Sequence, residues 1–316
     1  MKIGFTADLH IKLGQKNVPI AWAKNRYKLL FDQMKQMETK IDRWIIGGDI
    51  FDKVPSPEEL EVFVDLILIF GKATNIYAGN HESVKKDTTF LTNFKRMVTS
   101  LNPLVQVIDD FFTDDMGIDY IPYNKLKQYH PGDIDFHGKI LCTHVRGEIP
   151  PHVKAELPLE LFDKWKTVLA GDLHSYANCQ RNILYPGSPV TTSFHRSSVD
   201  TGIIIMDIDT LEHTWEKLVL PQLIRKTIQA GELMPATEYD HTIYEIEGDL
   251  SQLGSVTDND LIDKKVVKRE TDTALILEPD MSIEQEVEEY LRYILQLGDS
   301  TISEVLQELS NHANKL

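Results

Sequence analysis

Five short segments of this sequence place polar, metal-binding residue types directly after an apolar stretch typical of a buried strand. In α/β proteins, ligands bind beyond the carboxyl ends of the strands, so five such segments are expected to converge on one crevice. Glycines before three of the polar residues allow tight turns and a close approach of the backbone. The segments are Thr6-Ala-Asp8-Leu-His10, Gly47-Gly-Asp49-Ile-Phe-Asp52, Ala78-Gly-Asn80-His81-Glu82, Cys142-Thr-His144 and Ala170-Gly-Asp172-Leu-His174.

The residue types in these segments indicate the kind of metal site. In an extended segment residues i and i+2 point to the same side, so Asp8 and His10 can chelate one ion together. Mixed carboxylate, imidazole and amide donors are typical of manganese or iron sites, whereas structural zinc sites are rich in thiolates. The donors outnumber the needs of one ion, which predicts two divalent ions sharing a bridging carboxylate. Manganese is the expected metal, with magnesium and iron as alternatives.

Hydrophobic periodicity divides the first two-thirds of the chain into strands and helices. Residues 25–39 have the apolar spacing of a helix. A second helix has a clear start, with Ser56 as N-cap, Pro57 at the first position and Glu59 closing a capping box. From Gly117 the strands become short, with few helices between them, so the sequence predicts an α/β fold, α+β in part, with two facing mixed β-sheets flanked by helices. The predicted strands are Lys2–Ala7, Trp44–Gly47, Asn75–Ala78, Gly117–Ile121, Lys139–Thr143, Thr167–Ala170, Ile183–Tyr185, Thr201–Asp207 and His213–Leu218.

The last third of the chain has a different pattern. Pro221–Thr237 is expected to be a connection, followed by His241–Ile246 and Ala274–Leu277 as strands of a small α+β capping domain. Ser282 starts an amphipathic helix that Gly298 ends, and a second helix follows to form an acidic C-terminal helical hairpin. The predicted domains are residues 1–220, 221–280 and 281–316. The apolar side chains that we call the hairpin stripe are Ile283, Val287, Leu291, Ile294, Ile302, Val305 and Leu309.

Charge and composition narrow the function classes. With 33 Lys and Arg against 49 Asp and Glu, the formal net charge is −16, which argues against nucleic-acid binding by bulk electrostatics. The charge does not exclude a protein that binds a nucleic-acid phosphate through bound metal ions. The longest apolar run, Val62–Phe70, is interrupted by Asp65 and falls short of the roughly 18 residues of a membrane span. Two cysteines, Cys142 and Cys179, are too few for a disulfide framework, so we expect a cytoplasmic protein. We expect no association with a membrane.

The order Asp-x-His, Gly-Asp, Gly-Asn-His, a lone His and Gly-x-x-His resembles the calcineurin-like metallophosphoesterases over residues 1–220. More narrowly, Gly48-Asp49-Ile-Phe-Asp52, Gly79-Asn80-His81-Glu82 and Tyr185-Pro-Gly-Ser-Pro189 resemble the SbcD-type DNA repair nucleases. The size is similar to that of the compact recombination nucleases of T-even-like phages. The resemblance implies the metallophosphoesterase fold and a metal-dependent nuclease. Its expected reactions are exonuclease cleavage at duplex ends and endonuclease cleavage of single strands or hairpins, in DNA end processing, repair and recombination.

Carried over position by position, the resemblance implies a role for each polar side chain. His81 would protonate the leaving sugar oxygen or position the phosphate. Independently of the resemblance, Arg146 and Arg181 lie near the predicted crevice; Arg146 is the candidate contact for substrate phosphate, and a solvated arginine is the alternative. The family pattern Gly-His-x-His is here Gly171-Asp172-Leu-His174, and the aspartate is expected to ligate and to favour a harder ion. The expected ligands of the first ion are Asp8, His10, Asp49 and His174, with Asp49 bridging. The expected ligands of the second ion are Asp49, Asn80, His144 and Asp172.

The resemblance also implies partners. These are DNA and an SbcC-type coiled-coil ATPase that binds the hairpin stripe, with a homodimer of this chain inside a heterotetramer. The stripe has a simpler explanation, because an apolar helix face usually packs on its own domain. If the chain is phage-encoded, the location is the host cytoplasm.

Two other functions remain open at this stage. A phosphatase or phosphodiesterase for a small nucleotide or a phosphoprotein would use the same scaffold, although Tyr185–Pro189 and the residues after position 220 argue against it. The second alternative is a non-catalytic subunit that docks the ATPase and has lost its chemistry through Asp172.

Overall fold

The computed structural model of the chain describes residues 1–85, 87–132, 135–229, 232–235, 237, 239–247, 261–267, 282–295 and 297–313. These residues belong to two compact units. The first takes in Met1–Thr227 and Leu233–Glu245, and the second takes in the C-terminal helices. The predicted boundaries at residues 220 and 280 stay predictions.

The helices and strands alternate at first and then give way to short strands. Up to residue 108 the elements are β1 (Lys2–Thr6), α1 (Ile20–Met37), β2 (Arg43–Gly47), α2 (Pro57–Ile69), β3 (Ala73–Tyr77), β4 (Ser83–Lys85), β5 (Thr88–Thr89), α3 (Phe90–Leu101) and β6 (Val105–Ile108). The elements that follow are β7 (Phe112–Thr113), β8 (Ile118–Ile121), α4 (Tyr123–Leu126), β9 (Ile140–His144), β10 (Thr167–Gly171), β11 (Ile183–Leu184), β12 (Gly202–Asp207), β13 (His213–Lys217), β14 (Leu223–Gln229), β15 (His241–Glu247), β16 (Ile262–Val267), α5 (Ile283–Glu289) and α6 (Asp299–Ala313).

Two mixed sheets form the centre of the first unit. The six-stranded sheet has the order β13-β12-β1-β2-β3-β6, in which β1, β2, β3 and β6 are parallel and β12 and β13 are antiparallel to their neighbours. The five-stranded sheet has the order β11-β10-β9-β8-β7, parallel except for β7. This architecture confirms the predicted pair of facing mixed sheets flanked by helices.

The strand pattern explains why the two sheets face each other. Successive side chains of a strand point to opposite faces, so Ile45 lies between the sheets while Trp44 and Ile46 pack on the helical side. Tyr120 and Cys142 of the second sheet belong to the same inter-sheet core as Ile45. The helices α1, α2 and α3 cover the other face of the first sheet. Both sheets are thereby fixed with their parallel strand ends near one another.

Local sequence patterns predicted the start of α2 correctly, but they did not predict α3 or β14. The Ser56 hydroxyl accepts the Glu59 N–H and the Glu59 carboxylate accepts the Ser56 N–H, which confirms the predicted capping box. The helix α3 was not predicted. The assignment of Pro221–Thr237 as a connection is wrong, because Leu223–Gln229 is a strand in a sheet with β15 and β16. Pairing with β15 and the burial of Leu223 and Ile224 stabilise that strand, and neither is visible in the local sequence pattern.

The C-terminal helices begin close to the predicted positions. Ser282 caps α5 through a capping box with Gln285, and the helix continues as a π-helical turn over Tyr290–Ile294. In the hairpin stripe Leu291 and Ile302 are buried and Val305 is 38% exposed. The predicted strand at 274–277 and the side chains of Ile283 and Ile294 lie outside the described residues. Within the described part of the chain, no helix combines the length and apolar character needed to cross a bilayer.

Candidate metal centre

The five polar segments meet where strands of both sheets end. Three follow β1, β2 and β3 of the first sheet, and two follow β9 and β10 of the second. The loops after β1 and β2 are joined by backbone hydrogen bonds from the Asp8 N–H to the Gly48 carbonyl (3.0 Å) and from the His10 N–H to the Asp49 carbonyl (2.9 Å). These bonds hold the two loops against each other.

Several of these residues have left-handed backbone conformations. Asp8 has φ of 58°, His10 of 42° and Asp49 of 49°, in a region that favours glycine. Such conformations cost on the order of 1–3 kcal/mol each and persist only where the surroundings enforce them. Three in adjoining loops indicate that the chain holds these side chains in one fixed arrangement.

Asp49 is the centre of the arrangement. Its Oδ2 lies 3.7 Å from His10 Nε2, 3.9 Å from His81 Nε2 and 3.5 Å from His144 Nε2. Its Oδ1 accepts the His81 backbone N–H at 2.9 Å. One buried carboxylate oxygen thus faces three imidazole nitrogens, as expected for a shared ligand.

A close backbone approach makes room for this carboxylate. A Cβ on Gly79 would overlap Asp49 Oδ1, and a Cβ on Gly48 would lie 2.6 Å from the Gly79 nitrogen. Gly48 also has φ of +86°. Both positions therefore require glycine for steric reasons, as the sequence pattern predicted.

On one side of Asp49 lie Asp8, His10 and His174. The Nε2 atoms of His10 and His174 are 3.1 Å apart, and His174 Nε2 is 4.0 Å from Asp8 Oδ1. The buried His10 Nδ1 has no hydrogen-bond partner among the described residues. Two imidazole nitrogens that face each other beside a carboxylate are arranged to share a proton or a cation.

On the other side of Asp49 lie Asn80 and His144. His144 Nδ1 is 2.8 Å from the Gly47 carbonyl, and its Nε2 is 2.9 Å from Asn80 Oδ1. A backbone acceptor that fixes Nδ1–H directs Nε2 inward, which is the usual support of a metal-binding histidine.

The electrostatics of the cluster fit a cation. Burial raises the pKa of the Asp8 carboxyl well above its usual value. Burial opposes charge on Asp49 as well, but His144 and His10 bring the pKa of that carboxyl well below its usual range. Burial also opposes charge on His144, yet Asp49 and Asp8 raise the pKa of that imidazole to about 10. Without a metal, a buried proton therefore balances the carboxylates.

The donor set fits divalent metal ions. Three overlapping groups have ligand atoms within 4.8 Å of one another, namely Asp8–His10–His174, His10–Asp49–His81 and Asp8–Asp49–His144. Burial lowers the pKa of His10 to about 3, so this imidazole is neutral and able to ligate at neutral pH. Carboxylate, imidazole and amide donors together can hold divalent metal ions.

His81 has a different environment from the other histidines. Its Nδ1 is 2.6 Å from the Asp52 carbonyl, its Nε2 faces Asp49, and its side chain is 36% exposed. The Asp52 carboxylate pairs with Lys12 at 2.9 Å, so it serves as an ion-pair partner at the rim. The His81 ring is therefore fixed at one nitrogen and accessible at the other.

Glu82, to which no sequence pattern assigned a role, holds the backbone of the loops that carry the metal-binding side chains. Its buried carboxylate accepts the backbone N–H groups of Asp49 (3.0 Å), Phe51 (2.9 Å) and Gly79 (2.8 Å). Burial, reinforced by Asp49, raises the pKa of Glu82 to about 7. The signal that pointed to it was its place directly after Asn80 and His81 in one polar segment.

Asp172 and Arg146 form a pair beside the cluster. The Asp172 carboxylate accepts hydrogen bonds from Arg146 Nε (3.0 Å) and Nη2 (3.2 Å) and takes no part in the three converging groups. Its backbone N–H donates to Asp8. Arg181 instead pairs with Asp163 and Glu160.

The cluster opens into a cleft of about 820 Å³. Asp49, Asn80, His81, Arg146 and His174 line one end of it. From the Tyr185–Pro189 segment, Ser188 lines the cleft, and its hydroxyl donates to the Asp8 carbonyl at 2.7 Å. His195 also lines this cleft.

Comparisons with known proteins show which proteins this chain is similar to. A sequence model of the calcineurin-like phosphoesterase family matches residues 1–176. The "Probable exonuclease subunit 1" of Escherichia phage T5 is 39% identical over 325 residues, covering 99% of this chain and 98% of that protein. Two solved structures share little sequence. An archaeal phosphodiesterase is 14% identical, with TM-score 0.39, over 69% of this chain and all of that one. The protein TT1561 of Thermus thermophilus is 11% identical, with TM-score 0.41, over 68% of this chain and 98% of that one.

Proposed function

The chain belongs to the calcineurin-like phosphoesterase family, and from this premise we propose that it is the nuclease subunit of a DNA end-processing enzyme. The proposed reaction is metal-dependent hydrolysis of phosphodiester bonds at duplex ends. The near full-length similarity to a phage protein named as an exonuclease subunit supports this choice over other phosphoesters.

The observation that carries the proposal is the position of Asp49. One oxygen of this carboxylate lies within 3.9 Å of the nitrogens of His10, His81 and His144. Asp8 and His174 lie on one side of it, and Asn80 lies on the other. A carboxylate between two donor groups is the arrangement that a two-ion phosphoesterase needs.

We assign ligand roles to these side chains. Asp8, His10 and His174 would hold one ion, Asn80 and His144 would hold the other, and Asp49 would be shared. Two divalent ions, when bound, lower the pKa of a water molecule and neutralise charge on the phosphoryl oxygens. Manganese is the proposed metal, because the donors mix imidazole with carboxylate and amide.

His81 is the proposed general acid. Its Nδ1–H donates to the Asp52 carbonyl, which leaves Nε2 as the atom that delivers a proton to the leaving sugar oxygen. Its exposure to the cleft allows the nitrogen to reach a bound substrate.

The partner of the nuclease is proposed to be an SbcC-type coiled-coil ATPase. A net charge of −16 gives little counterion release on DNA, so the ATPase would supply much of the DNA affinity. The hairpin stripe offers Val305, which is partly exposed, as a docking side chain. We also propose a homodimer of this chain within a heterotetramer, and endonuclease cleavage of single strands and hairpins as a second activity.

The experiment measures manganese-dependent cleavage of end-labelled linear duplex DNA by the full chain, with and without the ATPase and ATP. Asp49→Ala should abolish cleavage and His81→Ala should slow it by at least about 100-fold, while His137→Ala, at an exposed histidine paired with Asp135, should retain it. Stronger cleavage with the ATPase and ATP is expected. Turnover of a nucleotide monoester without any cleavage of DNA under either condition would contradict the proposal and favour a phosphatase.

A further inference from the structure

We propose that Arg146 binds a phosphate of the substrate, and that Asp172 positions its guanidinium instead of holding a metal ion. The inference rests on the proposed function, since it concerns the phosphodiester that the centre acts on. The observation behind it is the two-point ion pair between these side chains at the edge of the metal centre.

The topology of the second sheet brings the two residues together. The parallel strands β9 and β10 are registered so that His144 lies beside Gly171. Asp172 follows the end of β10 directly, and Arg146 lies two residues beyond His144. The arginine side chain spans the gap between the two strand ends and reaches the Asp172 carboxylate.

Both oxygens of the Asp172 carboxylate are hydrogen-bonded. Arg146 donates to both of its oxygens, at 3.0 and 3.2 Å, in the paired geometry that suits a guanidinium. The Asp172 side chain is only 6% exposed, so water does not compete well for it. This ion pair neutralises much of the charge with which the carboxylate would attract a metal ion.

The backbone of Asp172 contacts a carboxylate of the metal centre. Its N–H donates to both carboxylate oxygens of Asp8, at 3.0 and 3.2 Å, with φ of +102°. This contact needs no side chain, so position 172 supports Asp8 while its carboxylate turns toward Arg146. None of the three converging donor groups includes Asp172. The replacement of the family's histidine at this position therefore exchanges a ligand for an arginine anchor.

Arg146 faces the substrate side of this pair. Its side chain is 46% exposed and lines the same cleft as Asn80 and His81. Among the described residues that line the cleft, it is the one lysine or arginine. The described residues provide its guanidinium with no hydrogen-bond acceptor other than Asp172. Its outer N–H groups are thus directed to an anionic ligand, and the planar fork matches phosphate oxygens.

The test is a double-mutant cycle of Arg146→Ala and Asp172→Ala in the full chain. Three quantities are measured for each variant: manganese ions per chain, kcat and KM for bis(p-nitrophenyl) phosphate, and the Kd of the manganese-loaded protein for thymidine 5′-monophosphate. Asp172→Asn, which tolerates the left-handed conformation, replaces the alanine variant if that variant does not fold. Arg181→Ala removes an arginine with a similar ion pair elsewhere and is the matched control.

The expected result is that Arg146→Ala raises KM and the nucleotide Kd roughly 10- to 100-fold, as for the loss of a charged hydrogen bond, with two manganese ions retained. Asp172→Ala should change both in the same direction with the same metal content. It should have no further effect in the Arg146→Ala background. Arg146→Lys should restore part of the affinity, because it keeps the charge without the fork.

Two results would overturn the inference. One is a loss of one manganese ion per chain in Asp172→Ala, which would identify Asp172 as a ligand. The other is an unchanged KM and nucleotide Kd in Arg146→Ala. If the parent protein hydrolyses no phosphodiester, the proposed function fails, yet metal content and nucleotide affinity still decide the roles of Arg146 and Asp172.

Discussion

The buried carboxylate of Glu82 accepts the backbone N–H of Asp49 at 3.0 Å. The same carboxylate accepts the N–H groups of Phe51 and Gly79, so one side chain fixes the loops after β2 and β3. The position of Asp49, the proposed shared ligand, therefore depends on a buried residue that does not line the cleft.

Replacing Glu82 with alanine should lower the free energy of unfolding by about 3–5 kcal/mol, because three buried N–H donors lose their acceptor. Urea denaturation of the metal-free protein measures this. Glu61→Ala, at an exposed glutamate paired with Lys24, should change stability by less than about 0.5 kcal/mol. Equal stability of the two variants would show that the Glu82 contacts do not hold the loops.

Replacing His81 with alanine should separate proton transfer from metal binding. We expect kcat to fall roughly 10²- to 10⁴-fold, as for the loss of a general acid, with the metal content unchanged. Elemental analysis and single-turnover DNA cleavage measure the two quantities. Loss of an ion from this variant would instead make His81 a ligand, for which its distance to Asp49 leaves room.

Metal binding should release protons. Against the opposing effect of burial, Asp49 and Asp8 raise the pKa of His144 to about 10, so a cation at Nε2 must displace a proton at neutral pH. Apparent manganese affinity should therefore increase with pH through the neutral range. Calorimetry at pH 7 in buffers of different ionisation enthalpy counts the protons, and His144→Ala should release roughly one fewer. An identical count in both proteins would contradict the assignment.

The same pKa has a consequence for the metal-free fold. A histidine whose folded-state pKa is raised from 6.5 stabilises the fold fully below that pH. The contribution is lost as the pH rises toward 10. Thermal melting of the metal-free protein should show this loss, and His144→Ala should remove that part of the pH dependence.

Replacing the partly exposed Val305 should weaken binding of the proposed partner without changing the activity of the isolated subunit. Val305→Asp is expected to weaken binding to the coiled-coil ATPase at least tenfold while DNA cleavage by the isolated subunit stays unchanged. Glu304→Ala, at an exposed neighbour, is the control. Size-exclusion chromatography of the mixed subunits measures the binding, and full association of Val305→Asp would exclude this surface as the docking site.

The sequence predicted the parts of the molecule that short segments determine. The capping box at Ser56 and the polar residues after β1, β2 and β3 follow from local patterns, because strand ends and helix starts carry their own signals. Burial and long-range hydrogen bonds decide the rest. The strand β14 is defined by its place beside β15 in a three-stranded sheet, and the contact between Arg146 and Asp172 depends on the register of β9 and β10. Neither is encoded within a short window of sequence.

Electron paramagnetic resonance of the manganese-loaded protein, together with metal content per chain, tests the shared role of Asp49 most directly. The arrangement predicts two ions per chain with a spin-coupled signal. Asp49→Asn should remove the coupling, while Asp52→Asn, at the carboxylate paired with Lys12, should keep it. A single uncoupled ion in the parent protein, or a coupled pair that survives Asp49→Asn, would contradict a two-ion centre built on Asp49.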